Sequence, residues 1–194
     1  MARLSFAIKP ALFLLCLVPL VRLVWLGFHD GLGANPIEFI TRSTGTWTLN
    51  FLLITLCVTP LRKLLNRPVL LRYRRMLGLF AFFYAVLHFI TYIWLDQFFD
   101  WQAILKDIAK RPFITLGFSA FILLIPLAAT SPKAVMKRMG KHWQTLHRAI
   151  YLIAVLGVLH YLWLVKKDVT MPLIYIVLLT ILLALRKFRL SPVL

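Results

Sequence analysis

The chain reads as an all-α, polytopic membrane protein: six transmembrane helices packed as one bundle, with residues 1–194 forming a single domain. Three observations predict it. Hydrophobic residues make up 61% of the 194 and charged residues only 15%, against about 25% charged in a soluble domain. The apolar residues gather into six runs near the ~20 residues a helix needs to cross a ~30 Å hydrocarbon core. The charges divide by sign between alternate loops. A greasy soluble bundle would not repeat runs of near-spanning length.

The first span is predicted from about Pro10 to Phe28 and the second from about Ser43 to Leu61. The third covers Met76 to Leu95, the fourth Pro112 to Ala129, the fifth His147 to Lys167 and the sixth Met171 to Leu185. Span six is the shortest, and flanking aromatic and basic side chains can cover its mismatch by snorkelling. Pro112 and Pro172 suit helix starts, while Pro19 and Pro126 fall inside spans and can bend them. The opening MARLSFAIKPALFLLCLVPLVRLVWLGF mimics a signal peptide. Its apolar stretch is long and no clean cleavage site follows, so it reads as a retained helix. Cys16 and Cys57 lie in apolar runs, as small buried hydrophobes do.

Orientation follows from the basic residues. Sixteen of them cluster on one side: Arg3 and Lys9, the two loops Arg62–Arg75 and Lys133–Arg148, and Arg186, Lys187 and Arg189. The opposite loops hold Arg42, Lys106, Lys110, Arg111, Lys166, Lys167 and all six acidic residues. By the positive-inside rule both termini and the two basic loops are cytoplasmic. The net charge of +17 therefore meets lipid headgroups rather than nucleic acid. The loops are short, and neither a glycine-rich dinucleotide fingerprint nor a P-loop is present.

Two histidines lie inside spans. His88 is thirteen residues from the cytoplasmic start of span three at Arg75, and His160 is thirteen from the start of span five at His147. Both sit roughly 20 Å in, at 1.5 Å per residue. Two imidazoles at one depth on different helices are what a haem iron with two axial histidines requires. Independent packing histidines would satisfy the same spacing. A zinc pair lacks Cys or acidic ligands at that depth, and a proton relay would enlist buried carboxylates. His147 sits at the cytoplasmic boundary, too far from His160 for one iron. It serves either a second, stacked cofactor or no cofactor at all. Arg74 stands about where its partner would be expected. His142 lies in a basic loop and His29 at the far edge of span one. Arg22, the basic residue inside span one, either snorkels, lines a polar cavity, or meets a propionate or quinone oxygen.

RRMLGLFAFFYAVLHFITY, LNFLLITLCVTPLR and the stretch from KRPFITLGFSAF to LHYLWLVK, with LAATSP, W-x-x-LHR and LHY, carry a resemblance over nearly the whole chain. They resemble the MsrQ family, formerly YedZ: haem-binding membrane subunits of bacterial protein-methionine-sulfoxide reductase systems, in the ferric-reductase-like transmembrane group. The resemblance implies that His88, His147 and His160 bind b-type haem, one or two per chain. It implies an inner-membrane electron-transfer subunit, drawing on the quinone pool and serving the periplasmic molybdopterin subunit MsrP, which performs the sulfoxide reduction. FMN is implied by the resemblance alone. Unlike larger members of the group, the chain has one histidine in span three and lacks a fused flavin and nicotinamide domain, which removes direct NAD(P)H use. The rivals are a transporter, disfavoured by spans without acidic residues or a clear repeat, and a cofactor-free assembly subunit.

Overall fold

The computed structural model describes residues 2–187, with side chains from Ile8 to Arg186. Arg189 lies outside the described residues, as do the side chains of Arg3 and Lys187. The described residues form helices joined by short connections. Helix α1 covers Ala2–Phe28 and α2 Pro36–Leu64; a short 3-10 turn, Pro68–Leu70, leads into α3, Leu71–Ile90. A π-helical turn, Thr91–Asp96, extends α3. Then follow α4 (Trp101–Lys110), α5 (Pro112–Ala129), α6 (Lys133–Met139), α7 (Lys141–His147), α8 (Ala149–Leu164) and α9 (Thr170–Lys187).

Five segments are long and apolar enough to cross a membrane: Ile8–Phe28, Pro36–Leu64, Pro68–Asp96, Pro112–Ala129 and Lys141–Leu164. Thr170–Arg186 is a shorter apolar helix, where the sixth span was expected. The fourth span has the expected bounds. The second begins seven residues earlier than expected, because Asn35 caps it. Its side chain accepts from the Glu38 N–H at 3.2 Å, and Pro36 occupies the first helical position, where a missing N–H costs nothing.

The third and fifth spans depart from a plain rod. Past His88 the α-helix widens into the π-turn, and the chain reverses through Phe98 and Phe99, both at positive φ. The expected end at Leu95 therefore falls inside a different helical geometry. The loop that follows, expected to be short and plain, holds α4. Asp100 caps it, accepting from Gln102 N at 3.1 Å and Ala103 N at 3.0 Å. The fifth span bends at Arg148, where i→i−3 bonds (Arg148 N–H to Thr145 O, 3.2 Å; Tyr151 N–H to Arg148 O, 3.1 Å) replace the α pattern. His147 thus belongs to α7 and His160 to α8.

The bundle is built around two tight helix pairs, α2 on α3 and α5 on α8, with α9 lying across α2 and α8. Phe51, Phe80 and Tyr84 form the centre of the core. Their rings stack, with Phe51–Tyr84 centroids at 5.3 Å and Phe51–Phe80 at 5.7 Å. Tyr84 is completely buried and its hydroxyl enters the ladder of α1. It donates to Cys16 O at 2.9 Å and accepts from Leu20 N–H at 3.2 Å, bridging an i→i−4 pair that would otherwise bond directly. Pro19 lies between them and has no N–H of its own. A proline and an inserted side chain are the usual causes of a bent helix. α9 is held by Tyr175, whose hydroxyl donates to Asn50 Oδ1 at 2.7 Å.

Tyr84→Phe keeps the ring and removes the bridge, leaving the Cys16 carbonyl and Leu20 N–H unpaired in an apolar setting. A loss of about 1–3 kcal/mol is expected, read as a lower unfolding midpoint of the detergent-solubilised protein. An unchanged midpoint would show that α1 closes its own ladder.

Candidate functional site

Each intramembrane histidine is held by the neighbouring helix of its own pair. The Nδ1–H of His88 on α3 donates to Thr41 O on α2 at 3.0 Å. The Nδ1–H of His160 on α8 donates to Phe113 O on α5 at 2.6 Å. This tautomer is assigned from the partners, since a carbonyl can only accept. It leaves each Nε2 with a free lone pair. The two rings then approach one another, with centroids 6.2 Å apart and planes at 74°. The depth match predicted from spacing is therefore a real juxtaposition.

Two residues that spacing did not single out make room for the rings. Gly45 and Gly117 each lie one helical turn after the carbonyl that binds the imidazole. A Cβ on Gly45 would meet His88 Cε1 at 3.0 Å and Nδ1 at 3.2 Å; one on Gly117 would meet His160 Nδ1 at 2.7 Å and Cε1 at 2.9 Å. At Gly117 a larger residue would force the His160 ring to shift, and at Gly45 it would crowd the His88 ring by a few tenths of an ångström. The signal was present in the chain. Donor and acceptor are 47 residues apart in both hydrogen bonds, and Thr59-Pro60 follows Gly45 at the same distance in sequence as Ser131-Pro132 follows Gly117. The α2–α3 and α5–α8 pairs thus repeat a carbonyl–glycine–histidine arrangement, although no clear repeat had been expected. Thr41 Oγ1 is buried beside His88 without a hydrogen-bond partner among the described residues.

His147 is not part of this pair. Its Nδ1–H donates to Trp143 O at 3.0 Å, and its ring stacks on Trp143 at 3.9 Å. His142 is exposed. His29 is exposed too, stacked on Trp25 and bonded to Trp25 O at 2.8 Å. Arg22 lies on the outward face of α1, away from the imidazoles. Among the described residues no group of three or more His, Cys, Asp or Glu could hold a metal ion. A bare ion bound by protein alone has no cage here, whereas a metal that brings its own equatorial ligands needs only two.

Gly117→Ala is expected to destabilise the protein by about 1–3 kcal/mol through overpacking, with Gly45→Ala costing less because its contacts are looser. Thermal midpoints of the two variants test the ranking. Equal midpoints would mean that the rings have slack the geometry does not show.

The family described as "Ferric reductase like transmembrane component" matches residues 44–158, a stretch that contains His88 and His147 and ends two residues before His160. The chain is 57% identical over 184 residues to the protein-methionine-sulfoxide reductase heme-binding subunit MsrQ of Herminiimonas arsenicoxydans, covering 93% of this chain and 84% of that protein. It is 58% identical over 182 residues to the same subunit of Azospira oryzae, covering 93% and 78%. With the Bordetella pertussis subunit it shares 53% over 187 residues, covering 95% and 91%. With a site of two facing imidazoles inside a helical membrane bundle and likeness across nearly its full length, the chain belongs to the ferric-reductase-like transmembrane family, among the MsrQ heme-binding subunits.

Proposed function

We propose that the chain is the haem b electron-transfer subunit of a methionine-sulfoxide reductase system. It carries electrons from the quinone pool across the bacterial inner membrane to a periplasmic molybdopterin partner of the MsrP kind. The sulfoxide chemistry belongs to that partner. The observation that carries the reading is the approach of His88 and His160. With a metal about 2 Å from each Nε2, opposed imidazole centroids would lie roughly 6 Å apart, and the rings here are 6.2 Å apart. Both Nδ1 atoms are committed to carbonyls, which orients the rings and raises the basicity of Nε2. The buried Thr41 hydroxyl is a further polar group available to a guest. These residues fit a bis-histidine haem. When bound, that group supplies the one-electron chemistry.

The protein's own part is to hold and to exclude. The carbonyls of Thr41 and Phe113 hold the imidazoles, Gly45 and Gly117 admit them, and the Phe113 ring lies 6.2 Å from that of His160. Within the spans carboxylates occur only near the ends, at Glu38 and Asp96, so the middle of the bundle offers no carboxylate proton relay. That absence also disfavours a transporter, although the repeat found here removes one argument against it. His147, at another level of the bundle, is assigned to a separate cofactor position on family likeness. FMN rests on the same likeness.

Thr170–Arg186 serves as a sixth span, its 17 residues extended by flanking basic residues. The six spans form one domain, and the charge partition puts both termini and the basic loops in the cytoplasm.

The purified protein should show a low-spin haem spectrum that sharpens on dithionite reduction. His88→Ala and His160→Ala should each abolish the same low-spin signal, and a signal that survives either change refutes the pairing. His147→Ala should leave that signal in place, with haem per chain reporting what the lower position holds. Loss of the low-spin signal in His147→Ala would mean that the two positions are not separate.

A further inference from the structure

The two halves of the imidazole site are related by an offset of 72 residues: Thr41 and Phe113, Gly45 and Gly117, His88 and His160. Around the carbonyls they differ. On α2, Thr41, Thr44 and Thr48 stand at spacings of three and four, which puts their side chains on one face of the helix. The equivalent positions on α5 are Phe113, Leu116 and Ala120, none with a side-chain hydrogen-bonding group. The α2 half therefore carries hydroxyls where the α5 half is apolar.

Thr44 is the one whose hydroxyl reaches the carbonyl that holds His88. It is buried. Its Oγ1 lies 2.8 Å from Ile40 O and 3.0 Å from Thr41 O, the two carbonyls that a helical threonine can bond, and its one hydrogen is shared between them. Thr41 O thus receives two side chains, the Thr44 hydroxyl and the Nδ1–H of His88, the latter at 3.0 Å. Phe113 O receives one among the described residues, the Nδ1–H of His160, at 2.6 Å. The longer imidazole bond is the one made to the shared carbonyl. Thr44 Oγ1 is also 3.5 Å from His88 Nδ1. That is beyond the ~2.7–3.2 Å of ordinary N–H···O bonds, so the hydroxyl acts on the carbonyl rather than as a replacement acceptor. The glycine contacts run the same way. A Cβ on Gly117 would come within 2.7 Å of its ring, and one on Gly45 within 3.0 Å, so His160 is seated closer to its helix.

We propose that Thr44 is a positioning residue that slackens the hold on His88 and makes the two imidazoles unequal. Phe113 O holds His160 firmly, and Thr41 O holds His88 less so. An Nδ1–H bonded strongly to a carbonyl makes Nε2 the better electron donor, so His160 is the stronger ligand of the pair and His88 the weaker. The unequal hold is a property of the protein alone. Its effect on a bound iron rests on the bis-histidine reading: a weaker axial donor disfavours the oxidised, more positive metal and so raises the potential.

The test uses the full chain, isotopically labelled at its histidine nitrogens, purified in detergent and reduced with dithionite. Low-spin ferrous iron is diamagnetic, so NMR reads each Nδ1–H proton, assigned by its contact with the Gly45 or Gly117 α-protons. A stronger hydrogen bond moves that proton downfield. In the wild type the His160 proton should lie downfield of the His88 proton. Thr44→Val keeps the shape and removes the hydroxyl, and should move the His88 proton downfield while that of His160 stays in place. Thr44→Ser keeps the hydroxyl and should leave both at their wild-type positions. Leu116→Thr places a hydroxyl three residues after Phe113 and should move the His160 proton upfield. In the same samples Thr44→Val should lower the haem midpoint potential and Leu116→Thr should raise it. A His88 proton that stays or moves upfield in Thr44→Val, or that moves as far in Thr44→Ser, overturns the proposal. An unmoved potential beside the expected proton shifts overturns its redox consequence. A chain with no low-spin spectrum refutes the bis-histidine reading instead, and the proton shifts of the haem-free protein still decide the role of Thr44.

Discussion

A polar group placed among the spans finds no partner in hydrocarbon and is stabilised by one inside the protein. The architecture follows from that demand. His88 and His160 each take a carbonyl from the adjacent helix, Tyr84 bonds Cys16 O and Leu20 N–H in α1, and Tyr175 takes Asn50. Each of these bonds crosses between helices. Apolar packing alone is a weak guide in lipid, because the tails are as apolar as the side chains. The crossing bonds therefore set which helix faces which, and they set the site at the same time.

The helix pairs α2–α3 and α5–α8 solve this problem in the same way, with a carbonyl, a glycine one turn later and an imidazole from the partner helix. Their union brings two oriented rings together edge to face. The other end of the bundle does not repeat the solution. Thirteen residues before His160 stands His147, while thirteen before His88 stands Arg75, with Arg74 beside it. One level therefore has a matched pair of imidazoles, and the other has one imidazole among cations.

Much of this was legible in the sequence. Hydropathy located the spans because lipid imposes a length, and spacing put His88 and His160 at one depth because helical rise is constant. Other features were not. A carbonyl has no residue-type signature, so Thr41 and Phe113 could not be named from their side chains. Gly45 and Gly117 look like ordinary small residues until a ring is seen against them. The bend at Arg148 has no proline or glycine to announce it, and the charged residues of α4 disguised a helix as a loop.

The sequence by itself determined a membrane-embedded helical bundle, its charge asymmetry and two histidines at equal depth. These depend on length, composition and rise per residue, which are properties of each segment alone. Only the tertiary structure decided that the two imidazoles meet and that His147 stands apart from them. Those outcomes depend on the rotation of each helix about its own axis. Hydrogen bonds between helices set that rotation, and no single segment encodes it.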